Sequence, residues 1–512
     1  MNLPMILLAA IGAGTMTLSF EKPLALGHLK FCDAMRRFNV KLAQPMDLSA
    51  AKGVSFELKC EDPKIIENVW LLFRSGNGYY RAAAAKPAKA GEWTPTKVFK
   101  SDVRLYHWDT HVSGWELVKR PDDKDIPTWS RIEGFQVVAA IDIDGTSANA
   151  SVSVRNFRPL MEGESQAKPE LPERKFKALP GERRLICTHV WGNDHDWDKT
   201  CRMLSEYGIT DVSPLMMHGG YAYYKSRYGI THPLVEEYGD ALRLCSDACH
   251  KYGMKCHPRR SCWSLGIKVS KETVDKFRGD NRLQINFKGT DGGIGWLCPT
   301  HPANVQREID AMAELAELGA DGIMLDFFRL PGASFCFCAR CHAKFEERIG
   351  RKVEPWPSAV RDDPALAAEW TRFRCDTITE VFDIVAGKVK KIAPGIELSA
   401  AVADSISLGL DRGQDWPQWC RSGKLDVVYP MCYFSTVKML KRVLPELMNG
   451  VSGTKTRLVP MIAFAAGRIP FVEPAELARE VEMIRANGLR DVAFFRLQEY
   501  APQCLDALFE KR

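Results

Sequence analysis

The sequence predicts an α/β protein in two parts, a (β/α)8 TIM barrel preceded by an all-β, jelly-roll-like sandwich. Three observations predict this: apolar alternation of period two before residue 161, a polar segment rich in Pro, Lys and Glu at 162–182, and eight apolar runs separated by helical segments from residue 183 onward. We therefore assign the boundaries as follows: a signal peptide at 1–19, the sandwich at 20–161, the linker at 162–182 and the barrel at 183–512.

The first nineteen residues carry no charged side chain, and residues 3–13 are almost wholly apolar. Such a run is too short to span a bilayer and is typical of a secretory signal. We expect export to the periplasm or the cell exterior, with no stable membrane insertion. The alternative is a buried N-terminal strand.

The charge balance argues against a nucleic-acid partner. Lys and Arg number 70 against 64 Asp and Glu, a net charge of +6, and the basic residues are scattered along the chain. No feature indicates an oligomeric state.

Short strands with turn signals fill residues 54–160. Val54, Phe56 and Leu58 alternate with polar residues, and Val69, Leu71 and Phe73 are alternate apolar positions of a second run. This period of two predicts strands with one buried face, and their number predicts a sandwich.

The barrel is predicted from eight apolar runs, each followed by a helical pattern. Ile309, Met312 and Leu315 share one face of such a helix at 305–318, and a second helix is predicted at 377–392. The eight runs are 185–191, 210–217, 255–263, 322–328, 397–403, 426–433, 457–463 and 491–497. In a barrel of this kind, the site lies at the C-terminal ends of the strands.

Three carboxylates follow strand ends and are the catalytic candidates: Asp326, Asp404 and Glu499. Glycoside hydrolysis needs one carboxylic acid to protonate the leaving oxygen and a second carboxylate to attack the sugar or activate water. Each could instead cap a helix or carry a solvated charge, and this alternative is strongest for Asp404.

Histidines, arginines and aromatic residues near the same strand ends are the candidates for binding a carbohydrate substrate. Pyranose faces stack on rings, and sugar hydroxyls accept and donate hydrogen bonds. The aromatic residues could instead cover the barrel core, and the histidines could be ordinary hydrogen-bonding residues. The candidates are His189, Trp191, His218, Tyr221, His257, Arg259, Trp263, Trp296, Arg329 and Tyr433.

One cysteine run has the spacing of metal ligands. Cys336, Cys338 and Cys341 form C-x-C-x-x-C, and His342 follows. These residues could bind a structural zinc ion, form one disulfide in an oxidising compartment, or remain free thiols. No cofactor is expected to be required for catalysis.

Two segments of the barrel resemble the bacterial glycosyl hydrolase-like 10 family. The first carries the family's W-x-x-P-x-x-P, DGI and D-x-x-R-x-P pattern, and the second its Q-D-W-x-x-W and P-x-x-Y block. The matching residues are Trp296, Pro299, Pro302, Asp321, Gly322, Ile323, Asp326, Arg329 and Pro331, followed by Gln414, Asp415, Trp416, Trp419, Pro430 and Tyr433.

This resemblance implies a carbohydrate-active barrel with Asp326 in the catalytic centre and Arg329 beside it. It also implies that Tyr433 and Asp415 contact or support the substrate. Residues 125–142 are similar to a strand of galactose-binding-like jelly rolls, which implies a carbohydrate-binding sandwich, the alternative being a structural spacer.

We therefore expect a glycoside hydrolase acting on a poly- or oligosaccharide. The first alternative is a non-catalytic glycan-binding protein that keeps the barrel fold. The second is a metal-dependent deacetylase or aldolase barrel, which would need a set of His and Asp ligands at the mouth; His189, Asp194 and His257 are too widely spaced in the sequence to support it by themselves.

Overall fold

The computed structural model separates into two compact units, one formed by Met1–Glu170 with Ala465–Glu473 and the other by Leu171–Phe464 with Pro474–Arg512. It describes residues 16–20, 35–61, 66–75, 78–84, 89–99, 104–106, 129–141, 150–160, 175–190, 196–218, 220–266, 269–293, 295–434, 436–464, 472, 474–497 and 501–511.

The first unit contains two antiparallel sheets. The strand order is β1-β9-β3-β6 in one sheet and β2-β8-β4-β5-β7 in the other. The strands are β1 (Met16–Phe20), β2 (Met35–Met46), β3 (Gly53–Cys60), β4 (Ile66–Ser75), β5 (Gly78–Ala84), β6 (Thr94–Phe99), β7 (Arg104–Tyr106), β8 (Ile132–Ile141) and β9 (Ala150–Leu160).

The predicted alternation places apolar side chains of both sheets in one core. Val54, Phe56 and Leu58 of β3 pack in the same buried cluster as Leu71 and Phe73 of β4. Burying apolar surface between two sheets is what stabilises a sandwich. The likeness to galactose-binding jelly rolls and the binding of carbohydrate by this unit stay predictions.

The predicted signal peptide lies mostly outside the described residues, which begin at residue 16. Met16–Phe20 forms β1 and pairs antiparallel with β9. Its cleavage and the export of the protein stay predictions.

The second unit is a closed parallel barrel of eight strands. Their order around the barrel is β10-β21-β20-β18-β17-β16-β15-β11, and β11 pairs with β10 to close it. The barrel strands are β10 (Arg184–His189), β11 (Asp211–His218), β14 (Lys255–Cys256) with β15 (Arg259–Ser261), β16 (Gly322–Asp326), β17 (Glu397–Val402), β18 (Val427–Cys432), β19 (Arg457–Leu458) with β20 (Met461–Ala463), and β21 (Val492–Phe495).

Two barrel strands are split into short pairs, and each split contains a proline. Pro258 separates β14 from β15, and Pro460 separates β19 from β20. Proline has no N–H to donate to a neighbouring strand, so the ladder is interrupted there. The pair β12 (Tyr221–Ala222) and β13 (Ile230–Thr231) extends the sheet beyond β11.

Helices follow the barrel strands as the sequence predicts. The helix predicted at 305–318 is α5, and the one predicted at 377–392 is the second half of α8. The helices are α1 (Trp197–Glu206), α2 (Leu234–Tyr238), α3 (Ala241–Lys251), α4 (Lys271–Gly279), α5 (Pro302–Glu317), α6 (Ala339–Ile349), α7 (Ser358–Asp362), α8 (Pro364–Ile392), α9 (Ile406–Asp411), α10 (Trp416–Arg421), α11 (Val437–Val451), α12 (Pro474–Ala486) and α13 (Ala501–Leu508).

Side chains that face inward fill the barrel, so the site can only form above this packed core, at the strand ends. The core residues come from most of the strands and are Leu185, Cys187, Met324, Ala401, Val427, Tyr429, Val459, Met461 and Ala493. Within the described ranges, no helix is long and apolar enough to cross a membrane.

Candidate active site at the barrel mouth

Asp326 is the last residue of β16 and lies at the C-terminal mouth of the barrel. Its side chain is 8% exposed. Arg259 Nη1 donates to Asp326 Oδ2 at 3.0 Å, and the backbone N–H of Phe327 donates to Asp326 Oδ1 at 2.9 Å. Both oxygens of the carboxylate are therefore held in place by donors.

The ion pair follows from strand register. Ser261 of β15 pairs with Asp326, and Arg259 pairs with Met324, which belongs to the barrel core. The side chain of Arg259 therefore lies inside the barrel and extends toward the carboxylate. Burial opposes the charge of Arg259, but the nearby Cys187 and Asp326 outweigh it and raise its pKa.

The backbone at the mouth adopts an uncommon conformation. Phe327, directly after Asp326, has φ of 56°, and Trp263, just beyond β15, has φ of 57°. Bulky residues rarely adopt a left-handed conformation, because Cβ crowds the backbone. Two neighbouring strands thus end in strained backbone at the mouth.

Tyr433, just past β18, lies near the Arg259 and Asp326 pair. Its ring stacks on Phe495 with centroids 4.9 Å apart, and its hydroxyl donates to Met461 Sδ at 3.2 Å. Burial, together with the nearby Cys187 and Asp326, raises the pKa of Tyr433 well above its usual range. Tyr433 is therefore a neutral hydroxyl group at the mouth.

His189 and Arg496 connect the first and last strands of the barrel. Arg496 Nη1 donates to His189 Nε2 at 2.8 Å. Because a guanidinium can only donate, Nε2 must be the acceptor, so the imidazole is neutral with its proton on Nδ1. Arg496 places a further cation near Tyr433.

Asp404 lies just beyond β17, the strand next to β16 in the barrel. Its side chain is half-buried, and burial raises its pKa to about 6 although Arg412 favours the charged form. Ser405, and not Asp404, caps α9, accepting from the N–H of Leu408 at 3.3 Å. The helix is therefore capped by Ser405, and Asp404 does not have this role.

Arg329 lies close enough to Asp326 for their charges to interact, but its hydrogen bond goes to another group. Its Nη1 donates to the carbonyl of Leu330 at 2.9 Å, and its guanidinium lies 5.6 Å from the ring of Trp296 and 4.9 Å from that of Phe327. Burial and the nearby Arg412 lower the pKa of Arg329 to about 9. The ion pair instead forms with Arg259, which we expected to bind substrate.

His257 is not at the mouth, which corrects its assignment as a substrate contact. It is 0% exposed, and its Nε2 lies 2.9 Å from Asp211 Oδ1 while its Nδ1 lies 3.6 Å from Glu397 Oε1. Asp211 and Glu397 begin their strands, so His257 lies at the N-terminal end of the barrel. Strand three continues after Pro258, which places its C-terminal end at Ser261.

The structure does not bring His189 and His257 together as ligands of one metal ion at the mouth. His189 ends its strand at the mouth, whereas His257 lies at the opposite end of the barrel. Asp194, the third residue of that set, lies outside the described residues, as do the candidates Trp191 and Glu499. The roles of these last two residues stay predictions.

The remaining candidates take part in packing around the mouth. His218 Nδ1 and Ser261 Oγ share a hydrogen bond of 3.0 Å, and the ring of Tyr221 packs edge-on against His232. Trp263 and Trp296 are 0% and 4% exposed. Both rings are therefore buried, and contact of Trp263 and Trp296 with a substrate stays a prediction.

Asp415 has a structural role in the described contacts. It caps α10, where its Oδ1 accepts from the N–H of Gln418 at 3.3 Å, and its Oδ2 accepts from Arg372 at 2.8 Å. It therefore stabilises the segment that leads into β18. The resemblance had implied contact with, or support of, the substrate.

The pairing of Arg259 with Asp326 was missed in the sequence, although a signal for it existed. Arg259 and Arg260 are consecutive arginines within an apolar strand, and successive side chains of a strand face opposite sides. One therefore points into the barrel to Asp326, and the other points outward to Glu308, its ion-pair partner on α5 at 2.8 Å.

Solved structures resemble the barrel at low sequence identity. The glycoside hydrolase domain of PgaB (BpsB) from Bordetella bronchiseptica is 13% identical with a TM-score of 0.50, over 65% of this chain and 100% of that chain. The catalytic domain of β-amylase from Paenibacillus polymyxa is 11% identical with a TM-score of 0.47, over 65% and 96%. At these identities the first likeness supports the fold alone.

α-L-fucosidase isoenzyme 2 from Paenibacillus thiaminolyticus is 16% identical with a TM-score of 0.46, and the match covers 64% of this chain but 48% of that one. No curated protein matches the sequence. The model of the family described as Glycosyl hydrolase-like 10 matches residues 189–459, more than half of the chain and most of the barrel. This protein therefore belongs to the glycosyl hydrolase-like 10 family.

Proposed function

We propose that this protein is a glycoside hydrolase that cleaves O-glycosidic bonds of a poly- or oligosaccharide with Asp326 and Asp404 as its two carboxylates. One observation carries the proposal: two aspartates follow neighbouring strands at the mouth, one paired with a cation and the other with a raised pKa. In glycosidases the two catalytic carboxyl groups take different roles because their surroundings differ. Membership of the family supports the same reaction class.

In this proposal the environment of each aspartate decides its role. Arg259 Nη1 donates to Asp326 at 3.0 Å and fixes the position of this carboxylate, which attacks the anomeric carbon or stabilises positive charge on the sugar. Asp404 donates its proton to the leaving oxygen as the glycosidic bond breaks. Water then supplies the new hydroxyl group of the sugar and returns a proton to the enzyme.

The substitution Asp326→Asn tests the proposal. The amide keeps the shape of the side chain but cannot carry the charge that the transition state requires, so turnover should fall by about 10³-fold or more while glycan affinity persists. Turnover is measured as reducing-end release from a panel of plant and bacterial polysaccharides, and affinity by calorimetry on the best substrate. Asp411→Asn, at the end of α9, is the matched control and should keep wild-type turnover.

Circular dichroism and the unfolding midpoint must show that Asp326→Asn is folded. A folded Asp326→Asn variant with wild-type turnover would contradict the proposal. Loss of affinity together with turnover would assign Asp326 to binding instead.

One observation favours the second candidate, a non-catalytic glycan-binding barrel. Both oxygens of Asp326 already accept hydrogen bonds, and the side chain is almost buried. In that case the wild-type protein would bind a polysaccharide of the panel and release no reducing ends from any of them.

A further inference from the structure

Four cysteine thiols from separate parts of the barrel meet beside the mouth. Cys298 precedes α5, Cys336 and Cys338 lie in the loop after β16, and Cys341 lies in the first turn of α6. All four Sγ atoms lie within 4.8 Å of one another. Cys298 Sγ lies 3.6 Å from Cys338 Sγ and 3.6 Å from Cys341 Sγ.

These separations match a tetrahedral zinc site. Zinc binds thiolates at about 2.3 Å, which places neighbouring sulfur atoms of a tetrahedron about 3.8 Å apart. A disulfide would require two sulfur atoms at about 2.05 Å, and none forms among the described cysteines. Three other thiols, at Cys245, Cys249 and Cys256, also lie within 4.8 Å of one another, but no fourth ligand joins them at that distance in the described part of the chain.

The surroundings of the four thiols include a buried positive charge. Arg374 is 4% exposed and lines the same small cavity as Cys336 and Cys341. Its Nη1 donates to the carbonyls of Phe335 and Asp411, each at 3.0 Å. Within the described residues, its Nε has no hydrogen-bond partner, and the nearby Asp411 is a carboxylate that favours its positive charge.

A buried guanidinium is costly without a negative partner. A zinc ion with four thiolate ligands carries two positive and four negative charges, a net charge of −2. Such a site would place further negative charge beside Arg374. Four neutral thiols would not.

We propose that Cys298, Cys336, Cys338 and Cys341 bind one structural zinc ion as thiolates. Each thiol releases its proton to solvent when the metal binds. With four protein ligands the site has no open position, so it stabilises structure and performs no catalysis.

His342, weighed as a ligand from the sequence, has other contacts. Its Nε2 donates to the carbonyl of Val353 at 3.1 Å, and its ring stacks on Trp356 with centroids 4.1 Å apart. Cys298 takes the fourth ligand position instead. The zinc ion would tie the loop that follows Asp326 to the segment that follows Trp296, and so would hold two walls of the mouth together.

Metal content of the full chain, purified under reducing conditions without a metal-affinity tag, tests this proposal. Plasma mass spectrometry should find zinc at one equivalent per chain or more, and the Cys341→Ser variant should hold one equivalent less than the wild type. Cys420→Ser removes a single buried thiol outside the cluster and should keep the wild-type content. Cobalt substitution should give the visible absorption of a tetrahedral cobalt thiolate, absent in Cys341→Ser.

If Cys341→Ser does not fold, zinc content, disulfide mapping and thiol reactivity of the wild-type protein test the proposal by themselves. Wild-type protein without zinc, a disulfide among these four cysteines in unreduced peptides, or four thiols that react freely in the native protein would each overturn the proposal. Zinc content unchanged in a folded Cys341→Ser variant would overturn it as well.

Discussion

Asp326 and Asp404 have the same side chain in opposite settings. Asp326 accepts from the buried cation of Arg259 at 3.0 Å, whereas burial raises the pKa of Asp404 to about 6. Burial favours the neutral acid, which suits Asp404 to donate a proton. In our proposal the hydrogen bond from Arg259 positions Asp326 for the other role, so the two aspartates differ because their surroundings differ.

The raised pKa of Asp404 predicts a pH dependence. An acid must be protonated to donate, so kcat/KM should decline as the pH rises through about 6, the pKa of Asp404. In Asp404→Asn that decline should disappear, and turnover of natural linkages should fall by about 10²- to 10⁴-fold. Aryl glycosides with acidic leaving groups should be much less affected, because their departure needs no proton.

The comparison is a pH profile of kcat/KM for wild type, Asp404→Asn and the control Asp411→Asn. An unchanged decline above about pH 6 in Asp404→Asn would exclude this residue as the acid. Glu499 would then become the candidate, since it follows strand eight.

At the scale of elements, helix packing depends on small residues at close approaches. Gly450, near the end of α11, faces the ring of Trp416 in α10, and a Cβ at this position would lie 2.2 Å from Trp416 Cη2. Trp416 is wholly buried and cannot move aside without disturbing its neighbours. Glycine is therefore required here for space.

We expect Gly450→Ala to lower the free energy of unfolding by about 1–3 kcal/mol through overpacking. Gly387, on the exposed face of α8, has no atom within 4 Å of an added Cβ. Gly387→Ala should raise the stability by about 0.5–1 kcal/mol, because alanine favours the helix. Urea unfolding measures the free energy of unfolding of both variants. Changes of the same sign in the two variants would contradict this explanation.

At the scale of the whole molecule, the division into two units predicts where a protease cuts. Residues 162–182 are rich in Pro, Lys and Glu, and the two compact units meet in sequence at residue 170. The end of this segment packs on the barrel, where Phe176 N–H donates to the carbonyl of Leu508 at 2.7 Å and Glu182 pairs with Arg184 at 3.0 Å.

Limited proteolysis should therefore cut between 162 and 174 and release a stable barrel fragment that begins before Phe176. Mass spectrometry of the fragments locates the cut, and the thermal unfolding of the isolated fragment shows whether it is folded. Cleavage spread through the chain, with no stable fragment, would contradict two independently folded units.

The fold class was predictable because its signals are local. Apolar alternation in 54–58 and the eight apolar runs with intervening helices depend only on residues near one another in the chain. The same patterns locate the strand ends, and so the sequence predicts that Asp326 and Asp404 follow strand ends at the mouth.

The partners of these residues were decided by the tertiary structure. The register between β15 and β16 brings the side chain of Arg259, and not that of Arg329, into hydrogen-bond contact with Asp326. The split of strand three at Pro258 leaves His257 at the opposite end of the barrel. Cys298 joins the C-x-C-x-x-C run from 38 residues away. Periodicity determines which way a side chain faces, but distances between segments far apart in sequence are fixed only when strands pair in register and the barrel closes.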